Sequence, residues 1–179
     1  MTDDIAGKGA CGNLPVPRQI HHIGLTVGEL DRSVQFYTTY FGLRDIARNE
    51  LRGRMISAQT DLDGVVIDVA MLAGANMLLE LLCYRTPLGR AQLIRQCDPG
   101  SAHVCMVVDD LDATYAAMRQ GGVSLHARPA EVGAGTKMVY VRDPDGIMVE
   151  VIQPTTDLSL DRLLALDATD DRSLNFQLS

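Results

Sequence analysis

The chain has 179 residues, 46% hydrophobic and 22% charged, enough for one compact domain or for two small modules sharing a core. With 16 Lys and Arg against 23 Asp and Glu the formal net charge is −7, and no basic run follows a phosphate backbone, which argues against nucleic acid as a partner. No apolar run approaches the roughly 18 residues needed to span a bilayer, so no membrane partner is expected.

The start, MTDDIAGKGA, lacks the basic and apolar regions of a secretion signal, and the expected compartment is the cytoplasm. Residues 1–18 carry Gly7, Gly9, Gly12, Pro15 and Pro17 and read as a flexible lead-in. HHIGLTVGELD, residues 21–31, then opens as a strand, with Ile23, Leu25 and Val27 on one face and His22, Gly24 and Thr26 on the other. Leu30, Val34, Tyr37 and Phe41 follow at helical spacing, and Gly42 supplies the stop. LRDIARN, VVIDVAML and NMLLELLCY read as three strands, and PLGRAQLIRQCDPG as a short linker helix ended by Asp98, Pro99 and Gly100.

From His103 the pattern starts again. Sliding the chain on itself by 81 residues sets HIGLTVGELDRSVQFY over HVCMVVDDLDATYAAM, with His, Val, Leu and Asp in register. Leu111, Tyr115 and Met118 repeat the helical stripe, Gly121 and Gly122 end it, and VSLHA, KMVYVR and IMVEVIQ supply strands. Each half is β-α-β-β-β. DPDG, residues 143–146, reads as a tight turn launching the last strand. EVGAGTK, residues 131–137, is glycine-rich but places Thr136 between Gly135 and Lys137, so it reads as a hairpin near a cleft mouth rather than a phosphate loop. The tail from residue 155 carries leucines for one short amphipathic helix before an acidic end.

The repeat gives weight to its polar positions. Each half has one His at the head of its first strand and one Glu inside an apolar last strand: His22 with Glu80, and His103 with Glu150. An unpaired carboxylate buried in LLELL or MVEVI costs several kcal/mol, so each glutamate calls for a cation, a donor or a wet cleft. A divalent ion satisfies all four groups, and mixed imidazole and carboxylate donors suit Zn, Ni, Co, Mn or Fe(II) without selecting one. His21 has Ala102 as its counterpart and alternates to the opposite face, so it is expected to be structural, as is His126. Cys105 alternates onto the face of His103, and Tyr84 onto that of Glu80; both are expected to line the cavity with substrate. Arg44 and Arg48 are candidate contacts for an anionic substrate. The four cysteines, Cys11, Cys83, Cys97 and Cys105, form no CxxC pair and read as reduced thiols.

The motifs HIGLTVGELDRSVQFYTTYFGL, ANMLLELL, GSAHVCMVVDDLDATYAAMRQGGV and VYVRDPDGIMVEVIQP resemble the vicinal oxygen chelate superfamily, which includes glyoxalase I, methylmalonyl-CoA epimerase, extradiol dioxygenases and the bleomycin and fosfomycin resistance proteins. The resemblance covers roughly residues 19–154 and implies an α+β fold: two βαβββ modules forming a curled mixed sheet around a metal-containing cleft. Module one would span 19–84, the linker helix 85–100 and module two 101–154, with 155–179 as a tail. The resemblance further implies His22, Glu80, His103 and Glu150 as metal ligands, Glu150 as the leading base with Glu80 as its partner, and a homodimer. The implied reaction is proton transfer beside a metal-chelated oxygen of a small-molecule substrate, as in a lyase, isomerase or epimerase. Two alternatives stand beside it. One is an Fe(II)-dependent ring-cleaving dioxygenase using His22, His103 and Glu150; the other is a non-catalytic binding or antibiotic-sequestration protein.

Overall fold

The computed structural model describes residues 19–90, 94–132 and 135–155. The first repeat folds as β1 (His22–Thr26), α1 (Leu30–Phe41), β2 (Arg44–Arg52), α2 (Arg54–Thr60), β3 (Val66–Ala73) and β4 (Leu78–Thr86). The second gives β5 (His103–Val107), α3 (Leu111–Gln120), β6 (Ala130–Glu131), β7 (Lys137–Arg142) and β8 (Met148–Gln153). Each repeat makes its own four-stranded mixed sheet, in the orders β1-β4-β3-β2 and β5-β8-β7-β6. The class is α+β with two modules, as expected, and the two sheets share no strand pair.

The topology puts the first and last strands of each module side by side and parallel, β1 on β4 and β5 on β8. A parallel pair needs a crossover that covers one face of the sheet, and here it includes α1 or α3. Helix α1 ends at Gly42, whose φ of 63° is the left-handed cap that side chains disfavour. Helix α3 starts at Asp110, whose carboxylate accepts from the Ala113 N–H at 2.9 Å.

Alternation then divides each strand between core and open face. Ala70, Leu72, Leu79 and Leu81 of the first sheet, and Val104, Met106, Val139, Val141, Val149 and Val151 of the second, join Val34, Phe36, Tyr37, Leu111 and Met118 in one apolar cluster that spans both modules. Each fully buried leucine contributes roughly 1.5–3 kcal/mol relative to an exposed one. A polar clasp runs along the seam between the modules. Tyr37 donates to Asp143 Oδ2 at 3.1 Å, Ser33 to Asp145 Oδ2 at 3.1 Å and Arg32 to Asp145 Oδ1 at 2.7 Å. The other oxygen of Asp143 accepts from the backbone N–H groups of Asp145 and Ile147. DPDG is therefore a turn that also locks α1 of the other module.

Three expectations change. Residues 123–127 form no strand, because β7 pairs there only with the short β6. The described residues after β4, 87–90 and 94–100, run as turns and bends where a linker helix was expected, and residues 91–93 lie outside the described residues. Helix α2 is an addition. Its Ile56, with Leu51, Leu62, Leu82 and Tyr84, packs on Val65, Ile67 and Val69 on the face of the first sheet opposite α1. The lead-in, residues 1–18, and the proposed tail helix, from residue 156 on, lie outside the described residues.

Candidate active site

The open face of each sheet, turned away from its helix, carries a His–Glu pair. In the first module Gly24 stands directly across from Glu80 and His22 across from Leu78, so His22 reaches the carboxylate diagonally, with Nε2 3.2 Å from Oε2. Gly24 lets its neighbours close over it: a Cβ there would lie 3.3 Å from Leu82 Cδ1 and 3.7 Å from Glu80 Oε2. The second module repeats the arrangement, with Cys105 across from Glu150 and His103 Nε2 3.0 Å from its Oε2. The imidazoles are 38% and 45% exposed and the carboxylates 20% and 19%, so both pairs are within reach of a ligand arriving from solvent.

Donor chemistry suits a divalent cation, since each pair offers one imidazole nitrogen and one carboxylate oxygen already turned toward each other. Among the described residues, however, no group of three or more His, Cys, Asp or Glu is placed to share an ion. Each pair thus offers two donors.

His21 is not a core residue. It is exposed, and its Nδ1 lies 2.8 Å from Nδ1 of His22, so one of the two nitrogens carries the shared hydrogen and Nε2 of His22 is left to face Glu80. His126 is exposed on the loop before β6.

Arg48 lies on the helix side of its sheet, across from Ala70, and is tied to Asp31 of α1 and to Asp45. A bulge between Asp45 and Ala47 shifts the alternation, so Arg44 and Arg48, four apart, fall on opposite faces. Arg44 is the one on the open face, in the row Arg44, Ala73, Leu78, His22. Tyr84 shares the face of Glu80 but packs under α2, which walls that end.

A model of the Glyoxalase/Bleomycin resistance protein/Dioxygenase superfamily matches residues 19–151. The chain belongs to this superfamily. A 2-epi-5-epi-valiolone epimerase of Actinomyces sp is 32% identical over 157 residues, covering 83% of this chain and 84% of the relative. A probable lactoylglutathione lyase of Vibrio parahaemolyticus is 30% identical over 144 residues, covering 75% and 90%. The crystal structure of a glyoxalase family protein from Bacillus cereus superposes with a TM-score of 0.73 at 19% identity, covering 81% of this chain and 98% of that one, a likeness of fold.

Within this superfamily member the two halves are not chemically equal. Tyr140, which the repeat does not single out, stands directly across from Glu150 on β7, with its ring edge-on to His103 at 5.6 Å. Cys105 faces the same carboxylate from β5. Partial loss of water, then the Glu150 carboxylate, pushes the Cys105 thiol up to about 11; the same causes raise the Tyr140 hydroxyl. Gln96, Ser101 and Met148 join His103 and Tyr140 around a hollow of about 260 Å³. A larger hollow of about 670 Å³ lies against α2 and the 61–66 loop and touches none of the four His and Glu residues. The signal for Tyr140 was its place between the core residues Val139 and Val141, which alternation turns toward Glu150.

Proposed function

We propose that the protein is a metal-dependent lyase or epimerase that moves a proton next to a carbonyl oxygen of a small-molecule substrate. The observation that carries this reading is the duplicated pair, a His and a Glu in contact on the open face of each sheet at matched register. His22, Glu80, His103 and Glu150 would hold a divalent ion, and because one chain does not bring the pairs together, the His22–Glu80 half meets the His103–Glu150 half of a second copy. When bound, the ion supplies positive charge that polarises the substrate carbonyl and acidifies the neighbouring C–H bond.

The chain's own groups do the rest. A carboxylate of Glu80 or Glu150 accepts the proton while the C–H electrons delocalise into the adjacent carbonyl, and it returns that proton to the neighbouring carbon in a lyase or to the other face of the same carbon in an epimerase. The partly buried Met71 beside Glu80 gives the substrate's body an apolar contact. The relatives named as lactoylglutathione lyases and as an epimerase support this class of chemistry.

Mixing two inactive variants tests the shared site. Alone, His22→Ala and His103→Ala homodimers each lack a ligand in both sites. A heterodimer carries both lesions in one site and leaves the other whole, so a statistical mixture regains about one quarter of wild-type sites. The readout is deuterium uptake from D2O into S-lactoylglutathione and into 2-epi-5-epi-valiolone. A mixture no better than its components overturns the shared site. Oxygen consumption with a catechol in place of exchange overturns the proton-transfer reading.

A further inference from the structure

We propose that Tyr140 and Cys105 are positioning residues that anchor Glu150, leaving Glu80 as the carboxylate that carries the proton. The inference rests on the lyase or epimerase reading and departs from the expectation that Glu150 is the leading base.

The same row of the two sheets is furnished differently. Around Glu150 the neighbours across both adjacent strands are hydrogen-bond donors, Cys105 on β5 and Tyr140 on β7, and His103 completes the ring at 3.0 Å. Around Glu80 the corresponding neighbours are Gly24 on β1 and Met71 on β3, neither of which has a side-chain donor, and His22 at 3.2 Å is the one ionic partner. A carboxylate has about four lone-pair directions. With donor side chains on three sides, Glu150 is held in place and keeps a direction free for an ion, which is what a metal ligand needs. Glu80 has directions to spare and no donor on either adjacent strand, which is what a group that must swing between metal and substrate needs.

Tyr140 ties the anchoring to the metal half-site in a second way. Its ring stands edge-on to His103, so one side chain orients both donors of that half. The first module has Met71 at this place.

The test separates holding the ion from moving the proton. Co(II) is titrated into the full-length protein and its Glu80→Gln, Glu150→Gln, Tyr140→Phe and Cys105→Ala variants, with affinity read by calorimetry and coordination by the visible Co(II) spectrum. Deuterium exchange is followed on S-lactoylglutathione and 2-epi-5-epi-valiolone, and a thermal melt checks each fold. Tyr140→Phe keeps the ring and loses the hydroxyl. It and Glu150→Gln are expected to weaken Co(II) about 10- to 100-fold and change the spectrum, with Cys105→Ala in the same direction but smaller. Glu80→Gln is expected to lose exchange by about 100-fold or more while keeping most of its Co(II) affinity. Equal loss of Co(II) in the two Gln variants, or exchange that survives in Glu80→Gln and dies in Glu150→Gln, overturns the assignment while leaving the lyase or epimerase reading intact. The predicted Co(II) order with no exchange in the wild type sinks the proton-transfer reading and the role of Glu80, and supports the anchoring of Glu150.

Discussion

Replacing Asp143 by Ala strips the seam between the modules of its central acceptor. The Asp143 carboxylate is 4% exposed and receives the Tyr37 hydroxyl at 3.1 Å, the Asp145 N–H at 2.9 Å and the Ile147 N–H at 2.8 Å. Tyr37 has no solvent exposure, so its orphaned hydroxyl costs roughly 1–3 kcal/mol, and the two half-buried amides add less because water reaches them. The expected loss is about 3–4 kcal/mol, and Tyr37→Phe, which leaves the carboxylate its two amides, should cost about 2 kcal/mol. Urea denaturation at pH 7 measures both, with the slope unchanged if the unfolded state is unaffected. The double variant should fall short of the sum by at least about 1 kcal/mol, since the two changes delete one bond. A cost below about 1 kcal/mol for Asp143→Ala, or strict additivity, would refute the claim that this bond couples the modules.

The same carboxyl gives a pH signature. Burial, the largest influence, raises Asp143 above its ordinary value against the pull of the Ile147 and Asp145 amides and the Tyr37 hydroxyl. The folded chain therefore binds this proton more tightly than the unfolded chain, so the associated stability is complete below the ordinary Asp value and is lost as pH rises through the raised value. Asp143→Asn should gain stability relative to wild type as pH climbs through that window and hold a constant difference above it, read from urea midpoints between pH 3 and pH 7. His22→Ala and His103→Ala should each remove most bound Co(II), by elemental analysis after dialysis, whereas His21→Ala should weaken it by about tenfold through loss of the contact to His22 Nδ1. Leu81→Ala, at a fully buried site on β4, should cost about 2–5 kcal/mol and leave Co(II) stoichiometry unchanged.

The duplicated pattern made most of the architecture readable. His22 and His103 stood out because the two halves align residue by residue, and Glu80 and Glu150 because a carboxylate breaks the apolar run in both closing strands. Parallel pairing of first and last strands then brings each His to its Glu, a step the βαβββ order implies. Features present in one half only were hidden. Tyr140 has Met71 in its place in the other module, so matching the halves gave no signal. Helix α2 spans seven residues with Met55 and Ile56 as its large apolar side chains, too short for a period to show, and Gly53 and Asp61 bound it with backbone conformations that sequence spacing does not reveal. Residues 123–127 have the alternation of a strand but no neighbour to pair with, and pairing is a tertiary fact.

The extra residue at Ile46 makes the upstream end of β2 tolerant of a change in length. The long ladder from Ala47 to Arg52 and the apolar packing under α2 pin the downstream half of β2. Loss of the half-exposed Ile46 would leave Asp45 across from Leu72 and Arg44 across from Ala73, now in regular alternation with Ala47 and Arg48. The rim would keep its cation on the open face, with His22, Glu80 and the core untouched. Evolution or a designer could thus shorten β2 by one codon at this point and leave every charged side chain of the rim on its present side of the sheet.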